Sequence, residues 1–395
     1  MHCASAHLPG NVPTFHRKEN LMTVRPPAEI GMPLEEVETP ALLVDLDVFE
    51  ANLKRMANDA AAKGIKLRPH SKTHKSPVIA LRQMALGAVG VCCQKVGEAE
   101  AMVLGGVPDV FISNEVVGRN KVARLAALAR QARVAVCADD PAHVAALSEA
   151  AQSFSVELAV FVEVDVGAGR CGVAPGQPAL DLARQVAAAP SLRFAGLQAY
   201  HGSAQHKRTI AERREMIQSA AAKVRECTDL LAAAGIACEL VSGAGTGTYP
   251  LEIASGAWQE LQAGSYIFMD ADYARNLDEA GQPISDFEQS LFVYATVMSR
   301  PRPEMAIVDA GLKCFSVDSG LPVVADLPGV EYVGAADEHG KLAIADTAGG
   351  PRIGDKVRLI PGHCDPTVNL YDWFTGVRNG RVETLWPIAA RGAVY

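Results

Sequence analysis

The run Leu67-Arg68-Pro69-His70-Ser71-Lys72-Thr73-His74-Lys75 sets two lysines and two histidines directly after an apolar, strand-like stretch. An amine in that setting can form a Schiff base with a carbonyl, and nearby cations are expected to lower its pKa toward the nucleophilic form. The bland alternative is a basic surface loop before a helix start, where a cation gains nothing from the helix dipole. The residues alone do not choose between Lys72 and Lys75. A second run, Ser242-Gly243-Ala244-Gly245-Thr246-Gly247-Thr248, holds three glycines in a loop that enters a helix. Backbone N–H groups converging there suit a phosphate, and Gly264-Ser265-Tyr266 adds donors after the next strand. In the stretch Val164 through Gly172, glycines let Arg170 turn back, and its fork matches a phenolate or a carboxylate. An Asp165–Arg170 structural pair explains that stretch equally well. In Pro361-Gly362-His363-Cys364-Asp365-Pro366-Thr367, an extended chain puts His363 and Asp365 on one side and Cys364 on the other. Imidazole and carboxylate can hold a divalent cation, and only two ligands imply an open site completed by water or substrate oxygens.

These pieces need a scaffold that gathers them. From residue 65 onward, short β-rich runs alternate with helix-like stretches. The candidate strands are Ile65–Pro69, Val89–Cys93, Asp109–Ser113, Arg133–Cys137, Glu157–Val164, Phe194–Ala199, Glu239–Ser242 and Glu260–Gly264. Between them lie helical candidates such as Val96–Leu104, Val122–Gln131, Pro141–Ala151, Leu180–Ala188 and Glu212–Ala234. Strands apolar enough to be buried on both faces, alternating with helices, predict a parallel sheet closed as a (β/α)8 TIM-type barrel. In such a barrel the loops after the strands carry the chemistry, and the runs around Lys72, Arg170 and the two glycine loops each fall on one, whereas Pro361–Thr367 lies beyond the barrel. After about residue 285 the pattern changes to Ser290–Met298, Glu304–Val308, Val357–Ile360 and Val382–Pro387, with Asn379-Gly380 as a hairpin turn. The expected organisation is an N-terminal extension over 1–37, a barrel over 38–285 and a mainly β domain over 286–395. Thr39–Val44, ahead of the first barrel strand, is a candidate to pair with the β domain.

Composition narrows the partners. The 395 residues carry a net charge of −8 with 49% hydrophobic and 21% charged residues, ordinary globular values that argue against nucleic acid as a partner. No apolar run reaches the ~20 residues of a membrane span. The nine cysteines are scattered without a CxxC, as reduced thiols used as small hydrophobes would be. The opening ~20 residues lack the apolar core of a secretory signal, so a cytoplasmic chain is expected, with Met22 as an alternative start.

In their order along the chain, the runs around Lys72, Cys92-Cys93-Gln94-Lys95, Ile112-Ser113-Asn114-Glu115, Arg170, Leu197-Gln198-Ala199-Tyr200-His201-Gly202, the glycine loops and His363-Cys364-Asp365 resemble the fold-type III pyridoxal-phosphate enzymes. More narrowly, the chain resembles the D-threonine aldolase and D-3-hydroxyaspartate aldolase family, related to the D-serine dehydratases, with an alanine-racemase-like barrel. The resemblance runs from about Glu38 to the C-terminus. It implies pyridoxal 5'-phosphate joined to Lys72, with Arg170 at its phenolic oxygen, Tyr200 beside the ring and Gln94 lining the pocket. Thr246, Gly247, Gly264 and Ser265 would lie at the phosphate. His363 and Asp365 would hold the metal, Mn or Mg first and Zn as a further option. His206 would be the base, with His201 holding a weaker claim. Dehydratases of the family more often have His-x-Cys, so Asp365 aligns this chain with the aldolases. Ala244 interrupts the consecutive glycines of relatives and is tolerated if its φ is negative. The implied reaction cleaves the Cα–Cβ bond of a D-3-hydroxy-α-amino acid such as D-threonine to glycine and an aldehyde. Alternatives are D-3-hydroxyaspartate cleavage to glycine and glyoxylate, or dehydration of D-serine or hydroxyaspartate. A non-catalytic cofactor carrier is a further alternative, but it needs neither the β domain nor His-x-Asp. A homodimer follows from the resemblance alone.

Overall fold

The computed structural model describes residues 24–395, so Met22, Cys3 and the first part of the expected extension lie outside the described residues. Strand β1 (Ala41–Asp45) leads into helix α1 (Leu46–Ala62), whose N-cap Asp45 accepts from the N–H groups of Asp47 and Val48. Eight parallel strands follow: β2 (Lys66–Leu67), β3 (Val91–Cys93), β4 (Asp109–Glu115), β5 (Arg133–Ala138), β6 (Leu158–Glu163), β7 (Leu192–Ala199), β8 (Val241–Gly243) and β9 (Glu260–Leu261). Their order is β2-β9-β8-β7-β6-β5-β4-β3. A parallel bridge from His70 to Cys92 closes the ring, with the Cys92 N–H on the Pro69 carbonyl at 2.9 Å. Between the strands run α2 (Pro77–Ala85), α3 (Val96–Leu104), α4 (Arg119–Leu128), α5 (Pro141–Phe154), α6 (Gln177–Ala188), α7 (Ile210–Ala233) and α8 (Tyr249–Ser255). This is the expected α/β barrel.

Alternation along the strands sorts the core into two shells. On β4, Val110 and Ile112 face the helices, while Phe111 points inward to join Cys92, Cys137 and Phe161. Phe111 and Phe161 stack with centroids 4.4 Å apart and fill the barrel interior. The eight described cysteines are unpaired, and six are buried.

The second sheet holds β10 (Leu291–Arg302), β11 (Met305–Val308), β12 (Val323–Val324), β13 (Val330–Ala335), β14 (Gly340–Ile344), β15 (Lys356–Ile360), β16 (Trp373–Arg378) and β17 (Arg381–Pro387), with α9 (Cys364–Val368) before β16. Its main path reads β13-β14-β11-β10-β1-β16-β17, and β15 pairs with β10 and β12. Strand β1 is therefore a central member, antiparallel to β10 (Ala41↔Tyr294) and parallel to β16 (Leu42↔Phe374). The span 38–285 thus contains a strand of the second sheet. Asn379 (φ +50°) and Gly380 (φ +71°) turn β16 into β17, as a type I′ hairpin requires. A shared core unites the two units, with Phe268 6.1 Å from Phe49 and 5.4 Å from Phe374 between ring centroids.

Candidate active site

The barrel mouth opens into a cavity of about 510 Å³, within the size range of cofactor sites. After β2 the chain stays extended to His70, which caps the single turn Ser71–Thr73 by accepting the Lys72 N–H at Nδ1 (3.3 Å). That turn carries Lys72 into the cavity. Lys75, three residues on, is buried and bonds Glu98 instead. The cations expected to depress the Lys72 pKa do not prevail. Burial works against its ammonium, but the adjoining Asp365 carboxylate carries the pKa above the ordinary lysine value.

Asp365 reaches Lys72 from the second unit. The Ala271 N–H donates to the Pro361 carbonyl (3.0 Å) and the Cys364 N–H to Asp270 Oδ2 (3.1 Å), which fastens this segment to the loop after β9. The expected extended run is only partly so. His363 is extended (φ −147°, ψ 124°), but Cys364–Val368 is helical, because Pro366 and an acidic Asp365 both suit a first turn. Cys364 consequently points into the core, with Sγ 3.2 Å from the Met269 carbonyl. His363 turns Nδ1 to Asp318 Oδ2 at 2.8 Å. Asp365 Oδ1 is buried with no hydrogen-bond partner among the described residues. Asp365 Oδ1, without a partner, and His363, two residues earlier and already oriented by a carboxylate, are donor types that suit a divalent cation, although neither residue lines the cavity itself.

Gln94, Arg170, Tyr200, His206, Thr246, Gly264 and Ser265 all line the same cavity. Arg170 stands 5.8 Å from the Tyr200 ring centre, and its Nη2 is 4.0 Å from Glu163 Oε1. Asp165 is occupied with the backbone N–H groups of Gly167 (2.9 Å) and Gly169 (3.0 Å). Gly264 must lack a side chain, since a Cβ there would stand 2.7 Å from Thr73 Oγ1 and 2.9 Å from the His70 carbonyl. Gly247 lies apart from the cavity, its N–H taken by Gln205 Oε1 at 2.9 Å. His201 is also absent from the cavity wall; it is buried, and burial lowers its pKa. Ala244 corrects the expectation of a negative φ: it lies at +71°, in the left-handed region, at a cost of roughly 1–2 kcal/mol for an L-residue.

Family models and whole-chain relatives match most of the chain. The model of the alanine racemase N-terminal domain matches residues 44–272, and one of a serine dehydratase domain matches residues 290–377. A 3-hydroxy-D-aspartate aldolase of Paracoccus denitrificans is 49% identical over 373 residues, covering 93% of this chain and 96% of that protein. A D-threonine aldolase of an Arthrobacter species is 49% identical with the same coverage. The crystal structure of D-threonine aldolase from Filomicrobium marinum, 51% identical, superposes with a TM-score of 0.91 over 94% of this chain and 100% of that one. The chain belongs to the D-threonine aldolase and 3-hydroxy-D-aspartate aldolase family.

For a member of this aldolase family, several residues the sequence reading passed over shape the cavity. Gln198 and Gln262 exchange amide hydrogen bonds (3.1 and 2.8 Å) at its floor, and Gln262 continues to Ser242 Oγ (2.7 Å) and thence to Glu260 (2.7 Å). Glu260 and Asp109 hold Arg68 from below. Burial alone would depress that guanidinium, but the two carboxylates raise it above its usual value. Near Arg170, Glu115, Asp139 and Cys171 bring ligand-type atoms within 4.8 Å of one another. Burial, with Glu115 adjoining, pushes Glu163 up to about 8, so it holds a proton at neutral pH and limits the negative charge there. A glutamate closing the apolar run Leu158–Glu163 was the available signal. Asp318 and Asp272 had no such signal, because each meets its histidine across a long stretch of chain.

Proposed function

We propose that the chain is a lyase that cleaves the Cα–Cβ bond of D-3-hydroxy-α-amino acids, using pyridoxal 5'-phosphate on Lys72 and a divalent cation at His363 and Asp365. The observation that carries this reading is the meeting of Lys72 Nζ and Asp365 Oδ2 at the cavity, which joins the barrel's amine to the second unit's carboxylate. When bound, the cofactor supplies an electron sink for the pair released from Cα–Cβ. Lys72 is the amine that would hold it, with Thr246, Gly264 and Ser265 toward the phosphate and Gly247 acting through the loop it braces. Arg170 would face its phenolic oxygen; Tyr200 and Gln94 would flank the ring. Oxygen and imidazole donors at Asp365 and His363 favour Mn or Mg and admit Zn. His206, on the cavity wall, accepts the β-hydroxyl proton. The oxygen's electron pair becomes the carbonyl of the aldehyde, and the Cα–Cβ pair leaves with the carbon that becomes glycine.

The equal 49% identity to a 3-hydroxy-D-aspartate aldolase supports a second reading in which the aldehyde is glyoxylate. Product analysis on D-threonine, D-3-hydroxyaspartate and D-serine tests the proposal. Glycine with acetaldehyde or glyoxylate is expected; ammonia with a keto acid as the main products would overturn it in favour of dehydration.

A further inference from the structure

His206 closes the one-turn helix Gly202–His206 after β7 and lines the cavity with a half-exposed ring. Its Nδ1 lies 2.5 Å from Asp272 Oδ2. Asp272, only 5% exposed, comes from the loop after β9. Its other carboxylate oxygen, Oδ1, accepts from Arg208 Nη2 (2.6 Å) and Arg275 Nη2 (2.5 Å). Arg208 is itself held by the Asp272 carbonyl (2.8 Å) and Asn276 Oδ1 (2.9 Å). The carboxylate is therefore ionised and fixed. Burial opposes its charge, yet the His206 and arginine hydrogen bonds hold it well below the usual carboxylate range. An ionised carboxylate only accepts, so the hydrogen of a neutral His206 must sit on Nδ1, which leaves the lone pair on Nε2.

We propose that Asp272 is the positioning residue for the base. Its buried carboxylate holds the Nδ1–H of His206, so that Nε2 presents its lone pair to the β-hydroxyl proton of the substrate. The inference rests on the aldolase reading and on His206 as its base. The competing account makes Asp272 a structural clasp that ties Arg208 and Arg275 to the loop, with no influence on proton transfer.

A double-mutant cycle on the cofactor-loaded enzyme separates the two, with D-threonine or D-3-hydroxyaspartate as substrate and kcat and KM read separately. Asp272→Asn keeps the shape but removes the fixed acceptor. It is expected to lower kcat on the order of 10²-fold or more, with KM within about threefold and the cofactor absorbance retained. Adding it to His206→Gln is expected to change kcat by less than about threefold beyond His206→Gln alone. Asp272→Glu keeps a carboxylate for both arginines and recovers part of the activity; if Asp272→Asn fails to retain cofactor, Asp272→Glu carries the same cycle. A full additive loss in the double variant, or an Asp272→Asn enzyme with unchanged kcat, would overturn the proposal. Unchanged kcat in His206→Gln overturns the base assignment and this inference together. Absence of glycine among the wild-type products overturns the aldolase reading itself, so the failures are distinguishable.

Discussion

Lys72 and Lys75 lie three residues apart and meet different carboxylates. Lys75 is 6% exposed and Glu98 is 2% exposed, so their contact is a buried ion pair inside the wall of the barrel. Lys72 faces the cavity, and its partner Asp365 belongs to the other unit. Two alanine variants should therefore fail differently. Lys72→Ala is predicted to lose the visible imine-type absorbance and turnover while melting close to the wild type. Lys75→Ala is predicted to keep the absorbance but to lose about 3–5 kcal/mol of stability, because Glu98 is left buried without its counter-charge. Absorbance spectra with denaturant unfolding check both, and an absorbance lost with Lys75 rather than Lys72 would reverse the assignment. The residues alone put both lysines at the barrel mouth and only the family resemblance picked Lys72, because the physical choice depends on Glu98, on helix α3, and on Asp365, in the other unit. The same limit hid Asp318 and Asp272. It also misjudged Ala244, since the sign of a φ angle in a glycine-rich loop is set by what the loop packs against.

At the level of elements, the strand–helix rhythm was legible because the barrel strands β3 to β9 are largely buried and α3 to α7 are long enough to show a helical period. The weaker strands β12, β13 and β14 escaped notice, and β16 was implied only by the hairpin turn at Asn379-Gly380. Val330-Glu331-Tyr332-Val333-Gly334-Ala335, for example, is broken by a glycine where its register with β14 shifts. In the stretch 361–367 only His363 is extended, because Pro366 and Asp365 suit the first turn of the helix Cys364–Val368, so the alternation that would set His363 and Asp365 on one side does not hold there. Helix α8 yields a pH prediction. Glu252 is fully enclosed, its Oε1 accepts from Thr248 Oγ1 at 2.7 Å, and burial pushes its pKa up to about 7. The folded chain thus binds a proton at this site that the unfolded chain releases near 4.5. Its contribution to stability is full below pH about 4.5 and declines as pH rises toward 7. Glu252→Gln is expected to flatten that decline, so its melting temperature relative to wild type should be higher at pH 8 than at pH 5. An equal offset at both values would contradict the buried, protonated assignment.

In the whole molecule, two sheets with separate hydrogen-bond networks share one site. Strand β1 threads the second sheet before the barrel begins, and α9 carries Asp365 to the barrel mouth. Among the described residues no helix is long and apolar enough to cross a membrane. The central claim is that the barrel holds the cofactor and the second unit brings the cation. Chelation with simultaneous measurement of glycine formation and cofactor absorbance tests it most directly. The expected result is glycine formation reduced on the order of 10²-fold or more with the absorbance intact, and recovery when Mn or Mg is restored. Glycine formation that survives chelation unchanged, or absorbance lost together with the cation, would contradict that division of labour.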